Sequence, residues 1–290
     1  MPEPAQRSPS DDLAVRSLKD SFGAEILGVD LASASEAQFA GVVDAFHRNG
    51  AILLRDQGLS PAQLVAFVAR FGEPEGHTLQ DFTLAGYPNI YILSNRVADG
   101  KPIGAHNDGV GWHTDYSYKP EPVMCTMLYA VEVPDEGSDT LLADGVAAWN
   151  ALPPERQAEL EGLKLHHSYQ HFMATREWGS RELTEAQKRD NPNVVHPLIR
   201  THPADGRKAL WPSTGTVVEV IGKPGPDGLR LIDELVEFMT GDAFVYRHKW
   251  RVGDLLMWDN RCTLHPGTLY DDSKYFRTMY RLWVKGDRPF

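Results

Sequence analysis

The 290-residue chain is 42% hydrophobic and 24% charged, enough apolar material to bury a sizeable core without disulfide support. Its formal charge of -11, from 29 basic and 40 acidic residues, argues against a nucleic-acid partner, because phosphate binding needs a basic face. Two cysteines, Cys125 and Cys262, stand far apart in sequence, which suits a reducing cytoplasm better than a disulfide-dense secreted fold and leaves their pairing open.

Residues 1–15 read as a flexible tail. The opening MPEPAQRSPSDD lacks the apolar core of a signal peptide, and no later stretch approaches the roughly 20 apolar residues of a membrane span. A cytoplasmic protein without a membrane partner is the expectation. FGAEILGVDL alternates like a strand. In SEAQFAGVVDAFHRNG, Phe39, Val42, Val43 and Phe46 fall at helical spacing, with Asn49-Gly50 as the stop. AILLRDQ reads as a short buried strand. LSPAQLVAFVARFGEP reads as a second helix, with Ser60 as N-cap, Pro61 at the first helical position, and Leu64, Phe67, Val68 and Phe71 on the apolar face.

From Ile90 onward, short β-rich runs separated by Gly, Pro and Asp turns (IYILSN, MCTMLYAVEVP, GTVVEVIG, DAFVYRHKWRVG, DLLMWDN, YFRTMYRLWVKG) predict a β-sandwich or barrel. A polar, helical insertion is expected over 154–195, as a lid, an oligomer contact or a solvated excursion. With no linker, composition shift or internal repeat, residues 16–290 read as a single domain.

The sharpest local signal is Gly-Trp-His113-Thr-Asp115. A His and a carboxylate two apart on an extended strand point to the same side and can reach one metal ion. A further His would complete a two-His, one-carboxylate set, which on iron leaves positions for a cosubstrate and oxygen. His265 in LLMWDNRCTLHPG is the candidate, against competition from His166, His167, His171, His77, His106, His196, His202 and His248. Downstream, Arg277 and Arg281 lie four apart in the apolar run YFRTMYRLW, on one face with Met279. Two buried guanidinium groups ask for anionic partners, either a bound carboxylate or sulfonate or acidic side chains of the protein. A zinc hydrolase could use the same His and Asp residues, but would leave the arginines unexplained.

These motifs, taken in order from FGAEILGVDL and NGAILLRDQGLSPAQLVAFVARFGE through WHTD, GSDTLLADGVAAWNALP, HPLIRTHPADGRKAL and WDNRCTLHPG to RTMYRLWVKGDRPF, resemble the taurine and 2,4-dichlorophenoxyacetate dioxygenases, a branch of the Fe(II)/2-oxoglutarate oxygenases. The resemblance implies a mainly β fold with flanking helices, built on a double-stranded β-helix (jelly-roll, cupin-like) core. It implies Fe(II) as cofactor and 2-oxoglutarate and O2 as cosubstrates. His113, Asp115 and His265 become the iron ligands, Arg277 and Thr140 the contacts of the distal 2-oxoglutarate carboxylate, and Arg281 the residue facing the anionic group of a small substrate. His77, Asn95 and Tyr118 are further substrate-side candidates, and Trp112, Tyr116, Tyr118 and Trp258 candidates for a wall that excludes water.

The implied reaction is hydroxylation, including oxidative cleavage, of a sulfonate, aryloxy or amino carboxylate. Desaturation, epoxidation or cyclisation, and a non-catalytic binding module, are the alternatives. Asp115 keeps the carboxylate that related halogenases replace by a small residue. LWPSTGTVVEV departs from the Asn and aromatic residue of the taurine enzyme, which argues against taurine. A homodimer or homotetramer is left open.

Overall fold

The structure is a computed structural model and describes residues 13–290 apart from Ser21, Leu79 and Trp178. Most of the expected tail, residues 1–12, lies outside the described residues, and the first strand, Ala14–Lys19, already occupies its end. A nine-stranded sheet runs in the order Ala14–Lys19, Phe22–Leu27, Ala51–Leu54, Leu255–Asp259, Cys125–Glu132, Thr278–Val284, Tyr87–Ser94 and Thr83–Leu84, with Pro74–Glu75 also paired to Thr278–Val284. Only Phe22–Leu27 and Ala51–Leu54 pair in parallel within it. A parallel pair needs a crossover, and the helix Glu36–Asn49 supplies it. Ser35 and Gln38 cap its start reciprocally, and Gly50, at φ 70°, closes its end by donating to the Phe46 carbonyl. The second helix, Pro61–Ala69, uses the expected Ser60 cap and Pro61 start.

The central strands of the large sheet are buried on both faces. On one, Phe46, Leu64, Phe67 and Val68 of the two helices pack against Ile52, Leu54, Met127, Leu282 and Val284. Each such side chain contributes about 1.5–3 kcal/mol by leaving water. On the other, Met279 and Trp283 join Leu53, Leu128, Leu256, Trp258 and Tyr116. Arg281 lies between Met279 and Trp283 on that face by strand alternation, which is how a charged side chain comes to be buried in an apolar strand. A smaller sheet of Val245–His248, Thr140–Asp144 and Thr263–Leu264 lies across this inner face, where Leu142 and Trp250 enter the same cluster.

Two expectations need correction. The segment 154–195 is not a purely helical insertion: between the helices Pro154–Leu160, Tyr169–Thr175 and Glu185–Asp190 runs the strand Lys164–His167, the centre of a three-stranded sheet with Val194–Pro197 and Val217–Ile221. Leu165 and His167 point inward in alternation, a period that two adjacent histidines hide in the sequence. The helix Pro226–Met239 was also not among the expected elements, although Leu231, Ile232, Leu235, Val236 and Met239 form its buried stripe. Among the described residues no helix is long and apolar enough to cross a membrane. Cys125 and Cys262 are buried and unpaired.

The turn that ends Leu255–Asp259 aims the following residues at the inner face, and it is locked electrostatically. Asp259 accepts from Arg261 Nε at 2.8 Å and Nη2 at 2.6 Å, and its Oδ2 lies 3.0 Å from His202 Nε2. Burial alone would raise the Asp259 carboxyl, but Arg261 and His202 outweigh it and hold it well below the usual carboxylate range. Asp259→Ala would leave the buried Arg261 with a long 3.9 Å contact to Asp287 in place of its two short hydrogen bonds, and is expected to cost about 3–5 kcal/mol in urea unfolding. The carboxylate's contribution is full above an ordinary aspartate pKa of about 4 and is lost as pH falls through the depressed folded value. Wild type and variant should therefore converge in stability only in strong acid.

Candidate metal centre and its two anion pockets

His113 and His265 meet through a reciprocal backbone bridge: His113 N donates to His265 O at 3.1 Å and His265 N to His113 O at 2.7 Å. This crosslink brings the two ring centroids within 4.2 Å, with their planes inclined by 46°. Asp115 joins them by a different route from the one expected. It does not sit on an extended strand with His113; the chain turns directly after the bridge, and Tyr116 takes a left-handed φ of 59°. A non-glycine residue held there carries backbone strain of the kind that clusters at functional sites.

The three side chains converge. His113 Nε2 lies 3.4 Å from Asp115 Oδ1 and His265 Nε2 3.8 Å from Asp115 Oδ2, and one donor atom of each falls within 4.8 Å of the others. Each ligand is oriented from behind. His113 Nδ1 donates to Gly111 O at 2.8 Å, while Asp115 Oδ2 accepts from Thr126 Oγ1 at 2.6 Å and from Trp283 Nε1 at 2.8 Å. Trp258 Nε1 donates to His265 Nδ1 at 3.1 Å, which puts the proton of the neutral ring on Nε2; a metal there must displace it. Burial disfavours charge on Asp115, yet His265, His113 and Arg281 hold its carboxyl well below the usual range. Burial and the neighbouring His113 push the His265 pKa well below the ordinary histidine value. An ionised carboxylate between two imidazoles, with no lysine or arginine in ion-pair distance among the described residues, is a donor set that fits a divalent cation. A second cluster of His47, His202 and Asp259 has comparable spacing but does not fit, because the Arg261 guanidinium already occupies its carboxylate.

A cavity of about 160 Å³ opens beside the cluster, walled by Trp112, Tyr116, Tyr118, Tyr169, Phe172 and Trp283. His77 lines it and stacks on Tyr91 at 3.9 Å and on Trp283 at 5.5 Å. Tyr118 is also in its wall, its hydroxyl 3.0 Å from that of Thr78. Trp258 is core, behind His265 rather than in the wall. Arg281 lines this cavity but is already engaged: Nη2 donates to Asp108 Oδ2 at 2.6 Å, and the guanidinium lies over Trp283 at 4.6 Å and Tyr91 at 5.2 Å.

Arg277 faces a separate small cavity of about 40 Å³ that shares Asn107, Asp108 and Val110 with the first. Its Nε is buried without a hydrogen-bond partner, and no carboxylate of the described residues pairs with it. Burial, with like-charged Arg281 adding and Tyr270 opposing, pushes its pKa down to about 10. Thr140 lines neither cavity. It bridges to Gly267, which walls the smaller one, and its hydroxyl accepts from Trp250 Nε1 at 3.1 Å. Asn95 is not in a pocket wall either: its Nδ2 donates to Tyr275 O and its Oδ1 accepts from Arg277 N, both at 2.9 Å, so it braces the backbone that presents Arg277.

Sequence reasoning passed over four residues. Trp283 carried a signal, since it alternates with Arg281 on one strand face. Thr126, Asp108 and Arg176 carried none.

The family model described as "Taurine catabolism dioxygenase TauD, TfdA family" matches residues 14–283. The chain is 36% identical over 247 residues to an alpha-ketoglutarate-dependent 2,4-dichlorophenoxyacetate dioxygenase of Burkholderia sp. (strain RASC), covering 82% of each chain. It is 30% identical over 294 residues to a (S)-phenoxypropionate/alpha-ketoglutarate-dioxygenase of Sphingobium herbicidovorans, covering 97% of this chain and 96% of the relative. Among solved structures, AAD-2 in complex with Mn(II) and N-oxalylglycine superposes with a TM-score of 0.81 at 31% identity, covering 96% of this chain and 99% of that one. A taurine dioxygenase from Burkholderia xenovorans gives 0.78 at 28%, covering 96% and 90%. With its mainly β architecture and its paired histidines and aspartate, the chain belongs to the TauD/TfdA dioxygenase family.

Proposed function

We propose that the protein is an Fe(II)- and 2-oxoglutarate-dependent dioxygenase, coupling decarboxylation of 2-oxoglutarate to succinate with hydroxylation or oxidative cleavage of a small anionic substrate. His113, Asp115 and His265 hold the iron in this reading, on a jelly-roll core formed by the inner face of the large sheet and the smaller sheet across it. One domain spans 16–290, in keeping with a sheet that contains both Ala14–Lys19 and Thr278–Val284.

The observation that carries the reading is Arg277. A guanidinium with a buried nitrogen and no acidic partner among the described residues, next to a two-His, one-carboxylate cluster, is what a dicarboxylate cosubstrate requires. Arg277 and Thr140 fix the distal carboxylate; Thr140 accepts from Trp250 and so keeps its own proton to donate. Bound iron would supply the activation of oxygen and of the oxo acid. The protein's residues supply position, and the aromatic wall excludes water from the reacting atoms.

The wall also speaks to substrate. A cavity of about 160 Å³ with six aromatic side chains suits one aromatic ring, since a lined void of similar size, about 150 Å³, takes up benzene. An aryloxy carboxylate is the proposed class, in line with the compounds named for the two carboxylate-oxidising relatives. The test is succinate formation with Fe(II), ascorbate and oxygen over a panel of aryloxy carboxylates and sulfonates. Turnover with taurine and none with any aryloxy acid would defeat the substrate assignment.

Thr126 offers a check on the metal site. Thr126→Val removes a hydrogen bond to Asp115 while keeping shape, and should weaken Fe(II) binding by roughly 10–100-fold in anaerobic titration. An unchanged affinity would mean that Asp115 needs no support from behind.

A further inference from the structure

The expected anion contact, Arg281, is not free to act alone, and the reason identifies a second one. Asp108 sits between two guanidinium groups: Oδ2 lies 2.6 Å from Arg281 Nη2 and Oδ1 lies 3.5 Å from Arg176 Nη1. Arg281 comes from the strand Thr278–Val284, while Arg176 follows the helix Tyr169–Thr175 on another side of the cavity. Arg176 is itself held in place, since its Nε and Nη2 both donate to Gly179 O, which leaves Nη1 directed at Asp108. The Nε of Arg281 is buried without a hydrogen-bond partner and is left to donate.

The charges then decide what fits. Bound iron, Asp115, 2-oxoglutarate and Arg277 balance among themselves, so the carboxylate and guanidinium groups that remain inside the substrate cavity are two cations and one anion; the His77 imidazole, also in its wall, lies near enough to Asp108 to favour the ionised carboxylate further. Glu177, at the cavity edge, is exposed, where solvent screens it. The arginine pair therefore carries one uncompensated positive charge, and without Asp108 it would carry two.

We propose that Arg176 and Arg281 together receive the substrate's anionic group and that Asp108 restricts that group to a single negative charge. Asp108 is then a specificity-determining residue: a dianion must approach its carboxylate, whereas a monoanion neutralises the triad. The inference rests on the dioxygenase reading above, and the experiment separates the two.

The visible absorption band of the protein with Fe(II) and 2-oxoglutarate under anaerobic conditions is recorded first, for wild type, Arg176→Gln, Asp108→Asn and Asp108→Glu. A wild type without the band defeats the dioxygenase reading. Phenoxyacetate, a monoanion, and phenyl phosphate, a dianion at about pH 8, are then titrated in, and binding is read from the shift of the band. Wild type should prefer phenoxyacetate. Arg176→Gln should weaken phenoxyacetate about tenfold or more, the loss expected for one charged contact. Asp108→Asn should move the ratio of the two affinities at least about tenfold toward phenyl phosphate, and Asp108→Glu should restore it. A band that forms normally overturns the proposal under any of three outcomes: neither probe binds wild type, Arg176→Gln keeps the wild-type affinity, or Asp108→Asn keeps the wild-type ratio.

Discussion

Asp115→Ala is expected to abolish 2-oxoglutarate turnover while leaving the protein folded. The side chain is the one anionic donor of the cluster, and its removal also leaves the Thr126 hydroxyl and the Trp283 indole N–H without their acceptor. Losing a group that merely supports a metal ligand typically costs about 10–100-fold in affinity or activity. Losing the carboxylate itself must cost more, so activity should fall below about 1% of wild type. The measurement is succinate formation beside a circular dichroism spectrum of the variant. A folded Asp115→Ala protein with a tenth or more of wild-type turnover would remove Asp115 from the iron site.

The second large effect is on the cosubstrate. Arg277→Ala removes a guanidinium with no acidic partner among the described residues, so little stability should be lost with it. A hydrogen bond to a charged group contributes about 1.5–3 kcal/mol, which at 1.4 kcal/mol per decade corresponds to roughly a 10–150-fold rise in the 2-oxoglutarate KM. Fe(II) affinity should stay near wild type, because Arg277 faces the smaller cavity and not the His113, Asp115 and His265 donors. A KM for 2-oxoglutarate that does not move would assign Arg277 to packing.

The local elements of the N-terminal half were legible because short-range chemistry fixes them. Ser60 and Pro61 start a helix, Gly50 ends one, and each acts within a single turn. The facing of Arg277 and Arg281 was legible too, because strand alternation is a local rule. His113 and Asp115 could be paired from their spacing, yet the geometry behind that pairing differs from the expected strand: a bridge followed by a strained turn brings the carboxylate round. His265 could be chosen from the two arginines downstream of it and then by resemblance, but not from spacing, since its partnership with His113 is a backbone bridge between segments distant in sequence.

What the sequence hid follows one logic. Thr126 and Trp283 matter through hydrogen bonds that cross strands, and Asp108 and Arg176 through an ion pair between a loop and the end of a short helix. Neither relation leaves a periodic mark. Asn95 shows the reverse error: a polar residue ending a strand beside the site reads as a pocket wall, whereas its amide is spent on the backbone before Arg277.

The central claim is that His113, Asp115 and His265 present iron to 2-oxoglutarate gripped by Arg277. Its most direct test is the anaerobic visible spectrum of the protein with Fe(II), recorded as 2-oxoglutarate is added. A metal-to-ligand charge-transfer band should grow to saturation in wild type, be absent in His113→Ala, and in Arg277→Ala require roughly 10–150-fold more 2-oxoglutarate. No band in wild type, or the same band in His113→Ala, would contradict the account.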